Sequence, residues 1–211
     1  PTPETTLTYA FAQSQGPEKF TNGGVEGILD AVVTGAVNRV LPHPIDANRM
    51  YIGTVNGGVW KTNDAQSANP NWVPLTDKLK CTSIGALAFD TADPDRNTII
   101  AGIGRTSSNA SRGGPLVGLQ ISTNGGDSFT EVDGTGRLIG LNINGVAKHG
   151  NTIIVSVNTA DNVTPDNIGI FRSIDGGKIF TQVSSESVPI GRGGDLMVDP
   201  YNPQTVYVAI Y

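Results

Sequence analysis

The amino-acid sequence repeats one short pattern at a regular interval. Three β-favouring residues followed by a small one occur in the segments Arg49–Gly53, Thr98–Gly102, Thr152–Ser156 and Thr205–Ala209. The four small residues are spaced 49, 54 and 53 positions apart, and a small residue within a strand is typical of a place where two backbones approach closely. A period of this length is typical of radial and stacked repeat folds, so one supersecondary unit should be used several times.

Each of the first three repeats contains the signals of four strands. A short apolar strand comes before a turn, in most repeats rich in Pro, Asp and Asn, and the repeated segment follows that turn as the second strand. A third strand then ends in a polar turn, and a fourth strand follows, as at Ser128–Val132 and Ile179–Val183. Four antiparallel strands per repeat form the blade of a β-propeller. The sequence therefore predicts an all-β fold, a β-propeller of four-stranded antiparallel blades, with three complete blades and half of a fourth.

The repeat also predicts how the chain is divided. The blades are expected at residues 35–82, 83–141 and 142–190, with a partial blade at 191–211. Residues 1–34 form an N-terminal segment, in which Leu7–Ala12 is a candidate closing strand. Because an open set of blades exposes apolar sheet surface and an unpaired strand edge, we expect the remaining blades of the same protein, or a second subunit, to close the ring.

Composition excludes several classes of function. A net charge of −5, with 14 scattered Lys and Arg residues, argues against nucleic-acid binding. No apolar run in the sequence approaches the roughly 18 residues of a membrane-spanning helix. Cys81 is the one cysteine, which excludes an internal disulfide, and we expect it to be buried. His43 and His149 are the two histidines, too few for a metal site and expected on the surface. No metal and no cofactor is expected.

The turn between the third and fourth strands carries a polar motif. Ser173–Phe180 reads Ser-Ile-Asp-Gly-Gly-Lys-Ile-Phe, Ser122–Phe129 has Asn124 at the Asp position, and Thr62–Asp64 begins a third copy. The motif resembles the Asp-box in the propellers of sialidases, sortilin-like receptors and xyloglucan-hydrolysing glycosidases. That resemblance implies a structural turn on the outer rim, capped by an Asp or Asn side chain. The positions concerned are Thr62, Asp64, Ser122, Asn124, Gly126, Phe129, Ser173, Asp175, Gly177 and Phe180.

A second resemblance concerns catalysis. Residues 35–76 are similar to the first blade of the xyloglucan-hydrolysing glycosidases, in which a strand ends in Thr-Asp and the Asp is a catalytic carboxylate. The corresponding residue here is Val55, after Thr54. Valine cannot exchange a proton, and glycoside hydrolysis needs two carboxylates. This departure from the pattern argues against xyloglucan hydrolysis.

The resemblance to sialidases is incomplete as well. Those enzymes gather three arginines around the substrate carboxylate and carry an early Arg-Ile-Pro motif, which is absent from this sequence. Candidate cations of an inner rim are Arg39, Arg105, Arg112 and Arg192. No catalytic residue is therefore assigned.

Two irregular loops are the candidate binding elements. Gly104–Gly114 is a long polar loop between the second and third strands of blade 2, and Asn158–Asn167 is its counterpart in blade 3. Their side chains suit hydrogen bonds to sugar or protein, and simple solvated loops are the alternative interpretation. The candidate ligand-binding residues are Arg105, Asn109, Arg112, Asn158 and Asp161.

The whole pattern resembles that of secreted bacterial repeat proteins. It predicts a non-catalytic binding or scaffold module of a secreted or cell-surface bacterial protein, with a glycan or protein ligand. The alternative is a glycoside hydrolase, similar to a sialidase or xyloglucanase, whose active site is completed by blades outside these residues. An acidic pair on the central face would favour the enzyme. A central face of Asn, Ser, Thr and backbone groups would favour the binding module.

Overall fold

The computed structural model describes residues 36–108, 111–183 and 188–211. In these residues it contains strands and a short 3-10 turn at Pro165–Asn167. The candidate closing strand Leu7–Ala12 lies outside the described residues. The strands in chain order are β1 (Val37–Pro42), β2 (Met50–Thr54), β3 (Val59–Thr62), β4 (Val73–Pro74), β5 (Ile84–Phe89), β6 (Ile99–Ile103), β7 (Leu119–Ser122), β8 (Thr130–Val132), β9 (Leu141–His149), β10 (Thr152–Ala160), β11 (Gly169–Ser173), β12 (Thr181–Val183), β13 (Gly193–Val198) and β14 (Val206–Ile210).

These strands form three four-stranded sheets and one hairpin, with every named pair antiparallel. The sheet orders are β1-β2-β3-β4, β5-β6-β7-β8 and β9-β10-β11-β12, and β13 pairs with β14. Each sheet follows chain order, as the blade of a propeller does. We call the sheets blades 1 to 3 and the hairpin half-blade 4. The predicted all-β propeller architecture is confirmed. Within the described part of the chain, no helix is long and apolar enough to cross a membrane.

The first strands of the blades line the centre, and the small residues of the repeat pack beside them. Strands β1, β5, β9 and β13 contact one another in succession. A Cβ added to Gly53 would lie 2.6 Å from Ile84 Cγ2, and one added to Gly102 would lie 2.5 Å from Ile143 Cγ2. At Gly53 and Gly102 the nearest atoms belong to isoleucine side chains, so the small residue makes room for a side chain rather than for a second backbone. Each second strand packs against the first strand of the next blade.

Among the described residues, apolar side chains between the blades form two cores. The core between blades 1 and 2 includes Tyr51 and Phe89, whose rings meet edge to face with centroids 5.7 Å apart. Cys81 is buried in the same core, as expected. The core between blades 2 and 3 includes Ile143 and Phe171. Burial of each such side chain contributes about 1.5–3 kcal/mol, so adjacent blades stabilise one another chiefly through these cores.

The polar turns form compact hydrogen-bonded units. In blade 3, the hydroxyl of Ser173 donates to Asp175 Oδ1 over 2.7 Å and accepts the N–H of Gly177 over 2.9 Å. Asp175 Oδ1 also accepts the N–H of Ile179 over 3.1 Å. The aromatic residue that ends the turn, Phe180, is buried.

The turns of the other two blades use the same device. In blade 2, Asn124 Oδ1 accepts the N–H of Ser128 over 3.0 Å, which an amide oxygen does as well as a carboxylate. In blade 1, Asp64 Oδ1 accepts the N–H of Asn71 over 2.9 Å, seven positions further on. The turn of blade 1 is longer than the other two, since the capped N–H lies seven rather than four positions after the capping residue, and the carboxylate cap is kept.

The surface position expected for His43 is wrong. His43 is buried, and its ring packs edge to face against Phe89 with centroids 5.4 Å apart. Its Nδ1 accepts the N–H of Asp46 over 3.0 Å, and its Nε2 lies 3.1 Å from the carbonyl oxygen of Asp95. His43 thus holds the β1–β2 turn against the first strand of blade 2. His149 is half-buried, with its Nδ1 3.0 Å from the hydroxyl of Thr91.

Candidate ligand-binding face

One side of the blades carries all the loops predicted to bind. In an antiparallel blade the start of the first strand, the end of the second and the loop to the third lie on the same side. Residues 55–58, 104–118 and 161–168 connect second to third strands. The starts of β5, β9 and β13 lie beside them. We call this side the loop face.

Arg39 lies at the centre of the loop face. Its guanidinium donates to the carbonyl of Asn144 over 2.7 Å, and it lies 3.4 Å from Asp195 Oδ1. These three residues belong to β1, β9 and β13. A single side chain of blade 1 therefore joins the inner strands of blade 3 and half-blade 4. The Asp195 side chain remains 68% exposed and faces solvent beside the cation.

Arg105 and Asp161 come together from neighbouring blades. Their side chains form an ion pair, and the backbone N–H of Arg105 donates to Asn142 Oδ1 over 2.7 Å. The hydroxyl of Thr106 donates to Asn144 Oδ1 over 3.0 Å. Two candidate residues 56 positions apart thus form one unit, held by asparagines on the first strand of blade 3.

Asn56 organises a second polar group near blade 1. Its Oδ1 accepts the hydroxyl of Ser83 over 2.7 Å, and its backbone carbonyl accepts the hydroxyl of Thr82 over 2.9 Å. Its Nδ2 lies 3.5 Å from the hydroxyl of Ser108 and 3.4 Å from the carbonyl of Arg112. The loop of blade 2 is therefore held against blade 1 through short polar side chains. Arg112 takes part in these contacts through its main chain.

Asn158 forms a third group at the edge of half-blade 4. Its Nδ2 donates to the hydroxyl of Tyr211, and its carbonyl accepts the Arg192 guanidinium over 3.2 Å. Tyr211 is 71% exposed. An exposed aromatic ring beside an amide and a guanidinium combines a stacking surface with hydrogen-bond donors.

The predicted site residues thus have different outcomes. The structure joins Arg105 to Asp161, places Asn158 with Tyr211 and Arg192, and puts Arg112 in the loop near Asn56. Asn109 lies outside the described residues.

The central carboxylates of the loop face each have a cationic partner. Asp161 pairs with Arg105, and Asp195 lies beside Arg39. Val55, whose side chain is apolar, holds the position where the resemblance places a catalytic Asp. Its backbone N–H donates to the carbonyl of Ala36 over 2.9 Å. Around these ion pairs the described groups are amides, hydroxyls and backbone carbonyls. This arrangement is suited to hydrogen bonding with a polar ligand. Among the described residues, no group of His, Cys, Asp and Glu could hold a metal ion.

Sequence analysis missed the inner-strand polar residues. Asn142, Asn144 and Asp195 stand at or near the start of a first strand, where Asn38 and Ser83 also occur. A polar residue within or directly before the start of each apolar first strand was the available signal. Aligning the starts of the first strands, as well as the small residues of the second strands, would have revealed these polar residues.

Comparison with known proteins supports the fold. No family model matches the chain, and no curated protein matches it. An ancestral GH74 enzyme is 24% identical over 82% of this chain and 22% of its own, with a TM-score of 0.58. An auxiliary nutrient binding protein from Bacteroides thetaiotaomicron is 13% identical over 83% of this chain and 36% of its own, with a TM-score of 0.54.

A third similar structure is the extracellular domain of a putative hybrid two component system from B. thetaiotaomicron. It is 14% identical over 84% of this chain and 19% of its own, with a TM-score of 0.51. At these identities the likeness shows the fold, and the chain is a set of β-propeller blades. It spans between 19% and 36% of the lengths of these three proteins.

Proposed function

We propose that this chain is part of a non-catalytic binding propeller, with the loop face as its ligand-binding surface and a glycan as its ligand. The observation that carries the proposal is the composition of the centre of that face. Its two central carboxylates, Asp161 and Asp195, are engaged by arginines, and the groups around them are amides, hydroxyls and carbonyls. Such groups bind sugar hydroxyls as donors and acceptors without proton transfer to the glycosidic bond.

Tyr211 supplies the apolar part of this proposed site. Sugar rings have apolar faces that stack on aromatic side chains, while their hydroxyls need polar partners at the edge of the ring. Tyr211 is exposed and lies against Asn158, which in turn contacts Arg192. The stacking surface and the hydrogen-bonding groups are therefore adjacent. The likeness to a nutrient binding protein is consistent with this class of function.

We further propose that the protein acts outside the cell or at its surface, and that it is bacterial. The support is the likeness to the extracellular domain and to the nutrient binding protein of B. thetaiotaomicron. The three polar turns are proposed to be Asp-boxes with a structural role, because each carboxylate or amide oxygen is engaged by backbone N–H groups of its own turn.

A glycoside hydrolase is the second candidate function. It is favoured by the likeness to a GH74 enzyme, although 24% identity carries only the fold. On this proposal the reacting carboxylates would come from residues outside the described part of the chain. The two functions differ in one measurable product, since a hydrolase releases new reducing ends and a binding module does not.

The experiment is a titration of the protein with soluble xyloglucan, chitin oligosaccharides and sialylated oligosaccharides by calorimetry, with a parallel assay for reducing ends. We expect saturable binding to at least one glycan and no release of reducing ends. Tyr211→Ala should weaken that binding by about fivefold or more, the range of an aromatic contact. Tyr207→Ala is the matched control, because Tyr207 lies on β14, which ends just before Tyr211, and is 58% exposed. Its hydroxyl donates to Asp199, on the opposite side of the blade.

Three results would contradict the proposal. The first is that the protein binds no glycan of the panel. The second is that Tyr211→Ala and Tyr207→Ala weaken glycan binding equally, which would place the site elsewhere. The third is release of reducing ends by the wild-type protein, which would establish the hydrolase instead.

A further inference from the structure

Three asparagines in the described part of the chain are followed directly by glycine, namely Asn56, Asn124 and Asn144. Asparagine is a thermolabile residue. When glycine follows it, the main-chain nitrogen of the glycine can attack the side-chain amide, because no Cβ keeps the two groups apart. The reacting atoms must come within about 3–3.5 Å in the correct orientation. A main chain that is held in place therefore prevents the reaction, and one that is free to rotate permits it.

The polar turn of blade 2 restrains Asn124. Its Oδ1 accepts the N–H of Ser128 over 3.0 Å, and its Nδ2 donates to the Ser128 hydroxyl over 2.9 Å. The glycine that follows, Gly125, is buried, and its N–H donates to the carbonyl of Asn97 over 2.8 Å. Both the amide that would leave and the nitrogen that would attack are thus bound.

A strand restrains Asn144. Asn144 and Gly145 lie within β9, which pairs with β10. A Cβ added to Gly145 would lie 2.7 Å from the Leu196 nitrogen and 2.7 Å from Ser156 Oγ, so neighbouring groups enclose this glycine. The Asn144 side chain is itself held, since its Oδ1 accepts the Thr106 hydroxyl over 3.0 Å. Rotation of the main chain at this point would break the sheet.

The main chain at Asn56 is held less firmly. Asn56 and Gly57 lie in the loop between β2 and β3, and both are exposed. The carbonyl of Asn56 accepts the hydroxyl of Thr82 over 2.9 Å, and the N–H of Gly57 donates to the hydroxyl of Thr54 over 2.9 Å. The peptide unit between the two residues is therefore bound by side-chain hydroxyls, and it can rotate without breaking a strand pair.

The side-chain amide of Asn56 is arranged for the same reaction. Its Oδ1 accepts the hydroxyl of Ser83 over 2.7 Å. A donor at this position stabilises the negative charge that the oxygen acquires when a nucleophile adds to the amide carbon. Nδ2, the atom that leaves, makes long contacts, at 3.5 Å from the Ser108 hydroxyl and 3.4 Å from the Arg112 carbonyl.

We propose that Asn56 is a modification site, at which the chain converts slowly to aspartate and isoaspartate without an enzyme. The Gly57 nitrogen forms a bond to Cγ of Asn56 and gives up its proton. The bond from Cγ to Nδ2 breaks, and Nδ2 leaves with that proton as ammonia. Water then opens the succinimide ring at one of its two carbonyl carbons, which gives aspartate or isoaspartate.

The product changes the contacts between blades 1 and 2. A carboxylate at position 56 has no N–H to donate to the Arg112 carbonyl and repels that oxygen. It also adds a negative charge close to Arg105, because Asn56 Oδ1 and Arg105 Cγ lie 2.8 and 2.9 Å from one point, that of a Cβ added to Gly113. Arg105 already pairs with Asp161. The modification therefore weakens the attachment of the blade 2 loop to blade 1 and gives Arg105 a second anion.

The test follows the three asparagines in one sample. The 211-residue protein is incubated in mildly alkaline buffer and digested, and mass spectrometry of the peptides measures each conversion as the mass difference between water and ammonia. An isoaspartyl methyltransferase assay detects the isoaspartate. Asn56 should convert at least about tenfold faster than Asn124 and Asn144, which react only through local opening of the fold. In urea the three should convert at similar rates.

Two variants separate the chemistry from its consequence. Gly57→Ala places a methyl group beside the attacking nitrogen and should slow the conversion of Asn56 at least about tenfold. An added Cβ there meets Thr54 Oγ1 at 2.9 Å, a side-chain atom that can move. Asn56→Asp supplies the product directly, and the amide hydrogens of residues 112–114 should exchange at least about threefold faster. Asn124→Asp is its matched control and should leave those amides unchanged.

Three outcomes would overturn the proposal. One is equal conversion of the three asparagines in the folded protein, which would mean that the fold does not select Asn56. Another is an Asn56 that stays intact in the folded protein but converts in urea. The last is a Gly57→Ala variant that converts as fast as wild type. Since none of these measurements uses a glycan, they are independent of the proposed function.

Discussion

Asp90 and Lys148 form an ion pair that joins blade 2 to blade 3, with 3.2 Å between Oδ2 and Nζ and side chains 9% and 11% exposed. The other carboxylate oxygen accepts the N–H of Gly150 and of Ala92, each over 2.9 Å. The carboxylate is thus engaged on both oxygens and almost removed from water. Breaking one partner of such a pair leaves an uncompensated charge, which costs more than the pair contributes.

Asp90→Ala should therefore lower the free energy of unfolding by about 3 kcal/mol or more. The double variant Asp90→Ala, Lys148→Met should recover part of that loss, because no buried charge remains unpaired. Urea unfolding followed by circular dichroism measures both. Glu131→Gln is the control, since Glu131 pairs with the exposed Lys80 over 2.7 Å, and its midpoint should match that of wild type. Equal effects of Asp90→Ala and Glu131→Gln would contradict the role assigned to burial.

Gly85 should tolerate no side chain, for a steric reason. A Cβ there would lie 2.1 Å from the carbonyl oxygen of Ile143 and 3.0 Å from Gly104 Cα. Both obstacles are backbone, so neither can rotate away. We expect Gly85→Ala to cost about 3 kcal/mol or more, above the usual range for overpacking.

Gly136→Ala is the matched comparison for this glycine. Gly136 has φ of +86°, yet an added Cβ would meet nothing within 4 Å. Its substitution should cost only about 1–2 kcal/mol, the penalty of the left-handed conformation. Thermal unfolding of the two variants ranks the effects, and a larger loss from Gly136→Ala would show that the blade contact at Gly85 is less tight than described.

The strand pattern was predictable because it depends on local sequence, whereas the positions of particular side chains were not. Strand β5 (Ile84–Phe89) coincides with an apolar run of the sequence, Ile-Gly-Ala-Leu-Ala-Phe. Strand β9 extends to Leu141 and His149, beyond its apolar centre, because β10 pairs with it along nearly its whole length. Burial of His43 could not be foreseen, since it depends on Phe89 of the next blade, 46 positions away in the sequence.

In the candidate site, likewise, the loop that a residue occupies was predictable, but the residues that it contacts were not. The repeat placed Arg105 and Asp161 in equivalent loops, but their pairing depends on how blade 2 is inclined to blade 3. The contact of Arg39 with Asp195 depends likewise on the curvature of the whole set of blades. Sequence patterns report which side of a blade a residue occupies, and they carry little information on distances between blades.

The polar turn of blade 3 should make the stability of the protein depend on pH. A hydrogen bond from the Ser173 hydroxyl, followed by one from the N–H of Ile179, holds the pKa of Asp175 below its ordinary value of 3.8. The folded state therefore favours the carboxylate. Its contribution to stability is present above the unfolded pKa and is lost as pH falls through the folded pKa. The unfolding temperatures of wild type and Asp175→Asn should differ most near neutral pH and converge in acid.

Blade 2 offers the reverse substitution. Asn124 occupies the position of Asp175 and does not titrate, so Asn124→Asp should add a contribution that is present near neutral pH and disappears in acid. Calorimetric scans of the three proteins between about pH 7 and pH 2.5 would measure it. A constant difference across that range would mean that the carboxylate charge has no part in capping the turn.

The aromatic residue that ends each turn should contribute to the free energy of unfolding in proportion to its burial. Phe180 is buried in the core between blades 2 and 3, where a Cβ on Gly134 would lie 2.6 Å from its ring. Phe129, at the same position of blade 2, is half-buried. Phe180→Ala should therefore cost about 3–5 kcal/mol, and Phe129→Ala about half as much. Denaturant unfolding of both variants tests the ranking. Equal losses would mean that the turns, rather than the cores between the blades, determine what these rings contribute.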